Sequence, residues 1–183
     1  MKVWMAALCA LLSATGAWAE VFTVFKLPNG GRLELFPVGR WTLASEDVGE
    51  LKIVLTPENS RINARAIYSV ATEGADDFPT EEKLHEQMQR VAERLLVSGD
   101  FLERRPVIKP FYPAKGFGYY VVMTDRKSAG QPSKPGEFKF FTLGMIRLAP
   151  AVVLKVQIMA DSEEAEPYQQ LLGMAEGAAY TPR

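Results

Sequence analysis

EFKFFTLGMIRL (137–148), the break Ala149-Pro150-Ala151, and VVLKVQIM (152–159) decide the fold of this chain. In the second run Val152, Leu154, Val156 and Ile158 alternate with Lys155 and Gln157, the period of two that marks a strand with one buried face. The first run is rich in aromatic and β-branched residues, and the proline-centred break suits a hairpin joining the two. Working backwards, Gly116 to Thr124 sets Phe117, Tyr119, Val121 and Met123 on one face, and Val107 to Tyr112 is a shorter segment before it. Four strands therefore follow one another in the second half.

The first half has the same character. Val21 to Leu27, the turn Pro28-Asn29-Gly30-Gly31 and Arg32 to Val38 form a hairpin, because Asn-Gly supplies the positive backbone angles a tight reversal needs. Leu51, Ile53 and Leu55 alternate with Glu50 and Lys52, and Ala64 to Thr72 is a further strand. Between the halves, Pro79-Thr80-Glu81-Glu82 provides a cap and first-turn acids, and Leu84, Met88, Val91 and Leu95 recur at helical spacing until Ser98-Gly99. A second helix is predicted from about Ser162 to Gly177, capped by Ser162, with Tyr168, Leu171, Leu172 and Ala175 on its stripe. The order hairpin, two strands, helix, four strands, helix predicts an α+β fold: an antiparallel sheet of about six to eight strands packed with two helices.

The first nineteen residues are of another kind. Lys2, the apolar run Val3 to Leu12 and the small residues of Ala17-Trp18-Ala19 make a signal peptide, with cleavage leaving Glu20 first. The expected organisation is a leader over 1–19 and a single globular domain over 20–183, periplasmic or secreted, with no membrane span after cleavage. Leu8 before Cys9 is not the small residue a lipidated cysteine requires, so no lipid anchor is expected; Cys9 is the only cysteine, so the mature chain relies on its core and not on disulfides. A chain of this size buries about 70% of its unfolded surface, and 48% hydrophobic residues suit a globular protein.

With 21 basic and 22 acidic residues the chain has no long-range attraction to nucleic acid. Charge is uneven locally. Arg104, Arg105, Lys109, Lys115, Arg126, Lys127, Lys134 and Lys139 share a stretch with only Asp125 and Glu137, while Asp161, Glu163, Glu164, Glu166 and Glu176 make the end acidic. The plainer reading is a set of solvated faces.

The pieces Leu27-Pro28-Asn29-Gly30 and Phe36-Pro37 followed by Gly39-Arg40-Trp41, with this element order in an exported chain, resemble the PsbP/Mog1-like α/β/α sandwich group, which includes bacterial exported domains of unknown function. The resemblance spans most of the mature chain. It implies a non-enzymatic assembly factor or protein-binding module.

No motif for catalysis or a cofactor stands against that implication. His85 is the only histidine, on a helix one turn after Glu81 and Glu82, but a zinc site normally takes three or four protein ligands and no second histidine is present, so it reads as a helix-surface residue. Asp76, Asp77, Glu81 and Glu82 lack the spacing of a calcium loop and read as helix-capping acids. Gly116-Phe117-Gly118 opens a strand and lacks the third glycine of a dinucleotide fingerprint. No metal and no cofactor are expected, and no enzymatic activity.

What remains is a surface. The stretch Asp125 to Gly136, with Ser128, Gly130, Pro132, Ser133 and Pro135, reads as a mobile loop on rigid strands, where recognition tends to be placed. Around it lies a dense aromatic set: Phe111, Tyr112, Phe117, Tyr119, Tyr120, Phe138, Phe140 and Phe141. If Phe117 and Tyr119 face inward, Tyr120 faces outward, so Tyr120, Arg126, Lys127 and Lys134 are the candidate partner-binding residues. The expectation is an exported binding or assembly module contacting an envelope or secreted protein through the 125–136 loop. The alternative is a small-molecule or lipid carrier with a pocket between sheet and first helix, lined by Leu84, Met88, Phe117, Tyr119 and Phe140. An envelope hydrolase is the least favoured reading.

Overall fold

The computed structural model describes residues 22–47, 50–72, 74 and 77–183. The leader, the cleavage junction at Glu20 and Asp76 lie outside them.

Two antiparallel meanders make the principal sheet. The first is β3 (Trp41–Asp47), β4 (Leu51–Pro57) and β5 (Ala64–Ala71); the second is β6 (Ile108–Phe111), β7 (Phe117–Thr124), β8 (Phe140–Ala149) and β9 (Val152–Ala160). Helix α1 (Glu81–Ser98) carries the chain from β5 at the centre to the far edge, and the second meander returns until β9 pairs with β5, giving the order β3-β4-β5-β9-β8-β7-β6. The hairpin β1 (Thr23–Lys26) and β2 (Arg32–Leu35) stands apart. After helix α2 (Glu166–Glu176), β10 (Ala179–Thr181) pairs with β2 to complete a three-stranded sheet. Among the described residues, two helices, a seven-stranded antiparallel sheet and a three-stranded one make an α+β fold.

Local chemistry explains these elements. Gly30 adopts φ +83° at the β1–β2 reversal, and the Asn29 side chain accepts the Gly31 amide at 3.0 Å. The Thr80 hydroxyl accepts the Lys83 amide at the start of α1. The buried side chains of α1 are Leu84, Met88 and Ala92, so Ala92 and not the half-buried Val91 occupies the seam. Met88 and Ala92 pack on Val121 and Met123 of β7. The opposite face of the sheet holds the larger core, where Tyr168, Leu171, Met174 and Ala175 of α2 meet Ala66, Tyr68, Val156 and Ile158, and Leu33 and Leu35 of the small sheet close the side. The helices thus cover opposite faces.

Four expectations are corrected. Strand β3 is an additional strand before α1: its Ala44, Ser45 and Glu46 have weak strand preference, and pairing with β4 supplies what propensity does not. Helix α2 begins at Glu166, with Ala165 and not Ser162 at its cap, because Pro167 is tolerated only in a first turn. Strand β8 begins at Phe140, leaving 137–139 to the preceding loop. Finally, β10 is too short to show a period.

Candidate functional site

The 125–139 segment leaves β7 and returns to β8 at one end of the seven-stranded sheet, and hydrogen bonds fasten it at both ends. At its start the Asp125 amide donates to the Lys139 carbonyl at 2.8 Å, the Lys127 amide to Asp125 Oδ1 at 2.7 Å, and the Ser128 hydroxyl to the Phe138 carbonyl at 3.0 Å. At its far end one side chain from the strand entry before β5 does the work: Asn63 Nδ2 faces the carbonyls of Lys134 and Glu137 at 3.1 and 2.7 Å, and Asn63 Oδ1 accepts the Gly136 amide at 3.0 Å. Asp161 Oδ1, 2.9 Å from the same Nδ2, fixes the amide's orientation. A loop read from its composition as mobile is therefore latched.

Beneath it lies a groove of about 860 Å³. Its floor is Phe101, Phe138, Phe140, Phe141 and Met159, all half-buried, and its rim carries Asp125, Lys127, Lys134 and Glu137. Register explains part of the floor. Phe141 pairs with Met159 across β8 and β9 on the face that carries α1, and Phe101, just past the end of α1, forms a bridge with Asp125. A second hollow of about 630 Å³ surrounds Trp41 and Gln170, where the indole N–H already donates to Gln170 Oε1 at 3.0 Å.

The structure divides the four candidate residues. Lys127 and Lys134 line the groove. Arg126 turns away from it: its Nε lies 2.8 Å from Asp100 Oδ1 and its Nη2 donates to the Phe101 carbonyl at 2.6 Å, tying the segment to the end of α1. Tyr120 is neither outward nor beside the loop. It projects to the α2 face, four residues or about 13 Å along β7 from Thr124, and packs on Phe111 with ring centroids 4.7 Å apart. Gly144 makes that possible, since a Cβ there would meet the Phe111 ring at 2.5 Å. Burial pushes the Tyr120 phenol above its ordinary value, and Lys109 beside it partly offsets the shift. Simple alternation misplaces Tyr120 because both faces of this sheet are covered.

No protein-family model and no curated protein matches this chain.

The space proposed for a carrier pocket is occupied by packing. Leu84 and Met88 are fully buried, and Tyr119 stands edge-on to His85 with centroids 5.0 Å apart. Burial, then the nearby Glu81 and Glu82, raises the Tyr119 pKa. Among the described residues no group of three or more histidine, cysteine or acidic side chains is placed to hold a metal ion, and no helix is long and apolar enough to cross a membrane. Asn63 is the residue the sequence did not announce: a single asparagine ahead of a strand carries no periodic or motif signal.

Proposed function

We propose that this chain is an exported, non-enzymatic binding or assembly module of the cell envelope, periplasmic or secreted, that recognises a protein partner through the latched 125–139 segment and the groove beneath it. The reading keeps the PsbP/Mog1-like sandwich as its fold family. The observation that carries it is the latch: a polar segment with little part in the core is held in one shape by Asn63, over half-buried aromatic rings. Rigid presentation of a polar segment lowers the ordering cost of binding, and an apolar centre within a polar rim is the usual anatomy of a protein contact.

The test is the double variant Lys127→Glu, Lys134→Glu. Exposed charges are typically worth less than about 1 kcal/mol each, so thermal unfolding should stay nearly unchanged. Capture of the partner from the native envelope fraction by the tagged mature chain should fall, because charge at a rim governs steering and register. Capture equal to wild type at low salt refutes the reading.

The groove also supports a second reading, a small-molecule carrier, since about 860 Å³ lies within the range of ligand clefts. Its site then moves from under α1 to under the loop. A co-purifying ligand in an organic extract of the native protein would favour it.

A further inference from the structure

The groove has an apolar floor and a rim on which charges cancel. Asp125 and Glu137 contribute two acids, Lys127 and Lys134 two bases. They are interleaved: Glu137 Oε1 lies 3.8 Å from Lys134 Nζ, and Asp125 already accepts the Lys127 amide. A site for a phosphate, a nucleic-acid backbone or an anionic lipid surface needs an excess of positive charge. This rim has none, so affinity has to come from the floor.

Core side chains such as Tyr68, Val156 and Ile158 are fully buried, whereas the four phenylalanines and Met159 of the groove keep part of their surface in water. Aromatic edges and a thioether favour another ring or a branched aliphatic group over a charged one. A water-excluding rim around such a centre is how a single anchoring side chain dominates a protein contact.

From this we infer that the groove is a docking site for an extended segment of the partner protein, which seats bulky, uncharged apolar side chains of the phenylalanine or leucine type on the aromatic floor. The inference rests on the reading of this chain as a protein-binding module and specifies the chemistry of its partner. The balanced rim adds no net charge to the contact with the anchoring side chain itself, so a short neutral peptide binds nearly independently of salt, while the rest of the partner still meets Lys127 and Lys134 at the rim.

The experiment uses the mature chain with methyl-labelled methionine, the Met159 signal being assigned by its loss in Met159→Leu. Three probes are titrated: acetyl-Ala-Phe-Ala-amide, acetyl-Ala-Glu-Ala-amide and decanoate. The phenylalanine peptide should shift the Met159 methyl signal with saturation on the order of 1 mM, as suits one buried side chain. The shift should be the same in about 50 mM and 500 mM salt. Gln131→Trp, at an exposed lining position, sets an indole over the aromatic floor without emptying the core and should abolish the shift while leaving thermal unfolding unchanged.

No shift with the phenylalanine peptide overturns the inference, as does an equal shift with the glutamate peptide, or persistence of the shift in Gln131→Trp. A response to decanoate alone overturns it in favour of the carrier. If the peptide fails while Lys127→Glu, Lys134→Glu still lowers partner capture, the anchor falls and the protein-binding reading stands; if both fail, that reading falls too.

Discussion

Replacing Asn63 by alanine should release one end of the 125–139 segment without unfolding the protein. Asn63 Nδ2 has two hydrogens for three acceptors, the carbonyls of Lys134 and Glu137 and the Asp161 carboxylate, so at most two of those bonds are full at any moment. With the Gly136 amide held by Oδ1, three hydrogen bonds disappear in Asn63→Ala. At a net 0.5–1.5 kcal/mol each, and with the freed groups partly rehydrated at this half-buried site, closure of the segment should weaken by about 2 kcal/mol. That is roughly a 30-fold rise in local opening. Amide hydrogen exchange at Glu137, which donates to the Lys134 carbonyl within the segment, reads it, and it should accelerate by about that factor while denaturant titration shows a smaller global loss, because the segment opens before the core does. Asn63→Asp should be worse near neutral pH, since it loses both donors and sets a carboxylate beside Asp161; it should recover in part when the pH falls below the usual carboxylate range. Unchanged exchange at Glu137 in Asn63→Ala would show that the latch does not hold the segment.

Leu84 has no exposed surface, so Leu84→Ala should cost about 2–5 kcal/mol in denaturant titration, and exposed His85→Ala should cost far less; the reverse order would mean that α1 is rotated from its described face. Burial raises the pKa of the Tyr68 and Tyr168 phenols well above the ordinary value of 10.0, so the folded state holds their protons more tightly than the unfolded one. Their contribution is fully present below that value and is lost as pH rises above it, so phenolate absorbance from these two should appear together with loss of the fold and not before. Tyr68→Phe removes the hydroxyl that donates to the Leu171 carbonyl and should cost about 1 kcal/mol, measured by denaturant titration. N-terminal sequencing of the protein isolated from its native cells should return Glu20; a protein beginning at Met1 would refute the expected leader.

Legibility in the sequence followed the strength of each local signal. The β8–β9 hairpin and α1 were plain because their periods run for eight residues or more and meet recognisable breaks at Pro150 and Gly99. Strand β3 and β10 were hidden, one by Ala44-Ser45-Glu46 and the other by its length of three residues, and each owes its form to a partner far along the chain. The start of α2 was readable in principle from Pro167, but Ser162 offered a competing cap; its hydroxyl instead accepts the Glu164 amide in a turn before the helix. For the site, composition located the 125–136 segment and its two groove-facing lysines. It could not locate Asn63, Phe101 and Met159, because these residues come from distant parts of the chain and reach the segment only after folding. Tyr120 failed for a related reason: alternation says which residues share a face, and not whether the other face is bare.

The small sheet has a consequence for the order in which the chain can fold. Strand β2 is bordered by β1 on one side and by β10 on the other, and Thr181 reaches Glu34, 147 positions away, through a 3.2 Å side-chain contact. A two-stranded hairpin is marginal by itself in water, so β1 and β2 gain a stable place only when β10 arrives, whereas β8 and β9 can pair through a turn of two residues. Contacts between distant segments are the slow ones. A chain released from one end therefore makes its first hairpin early and secures it last, and any extension or clipping near Ala179 acts on the beginning of the protein as much as on its end.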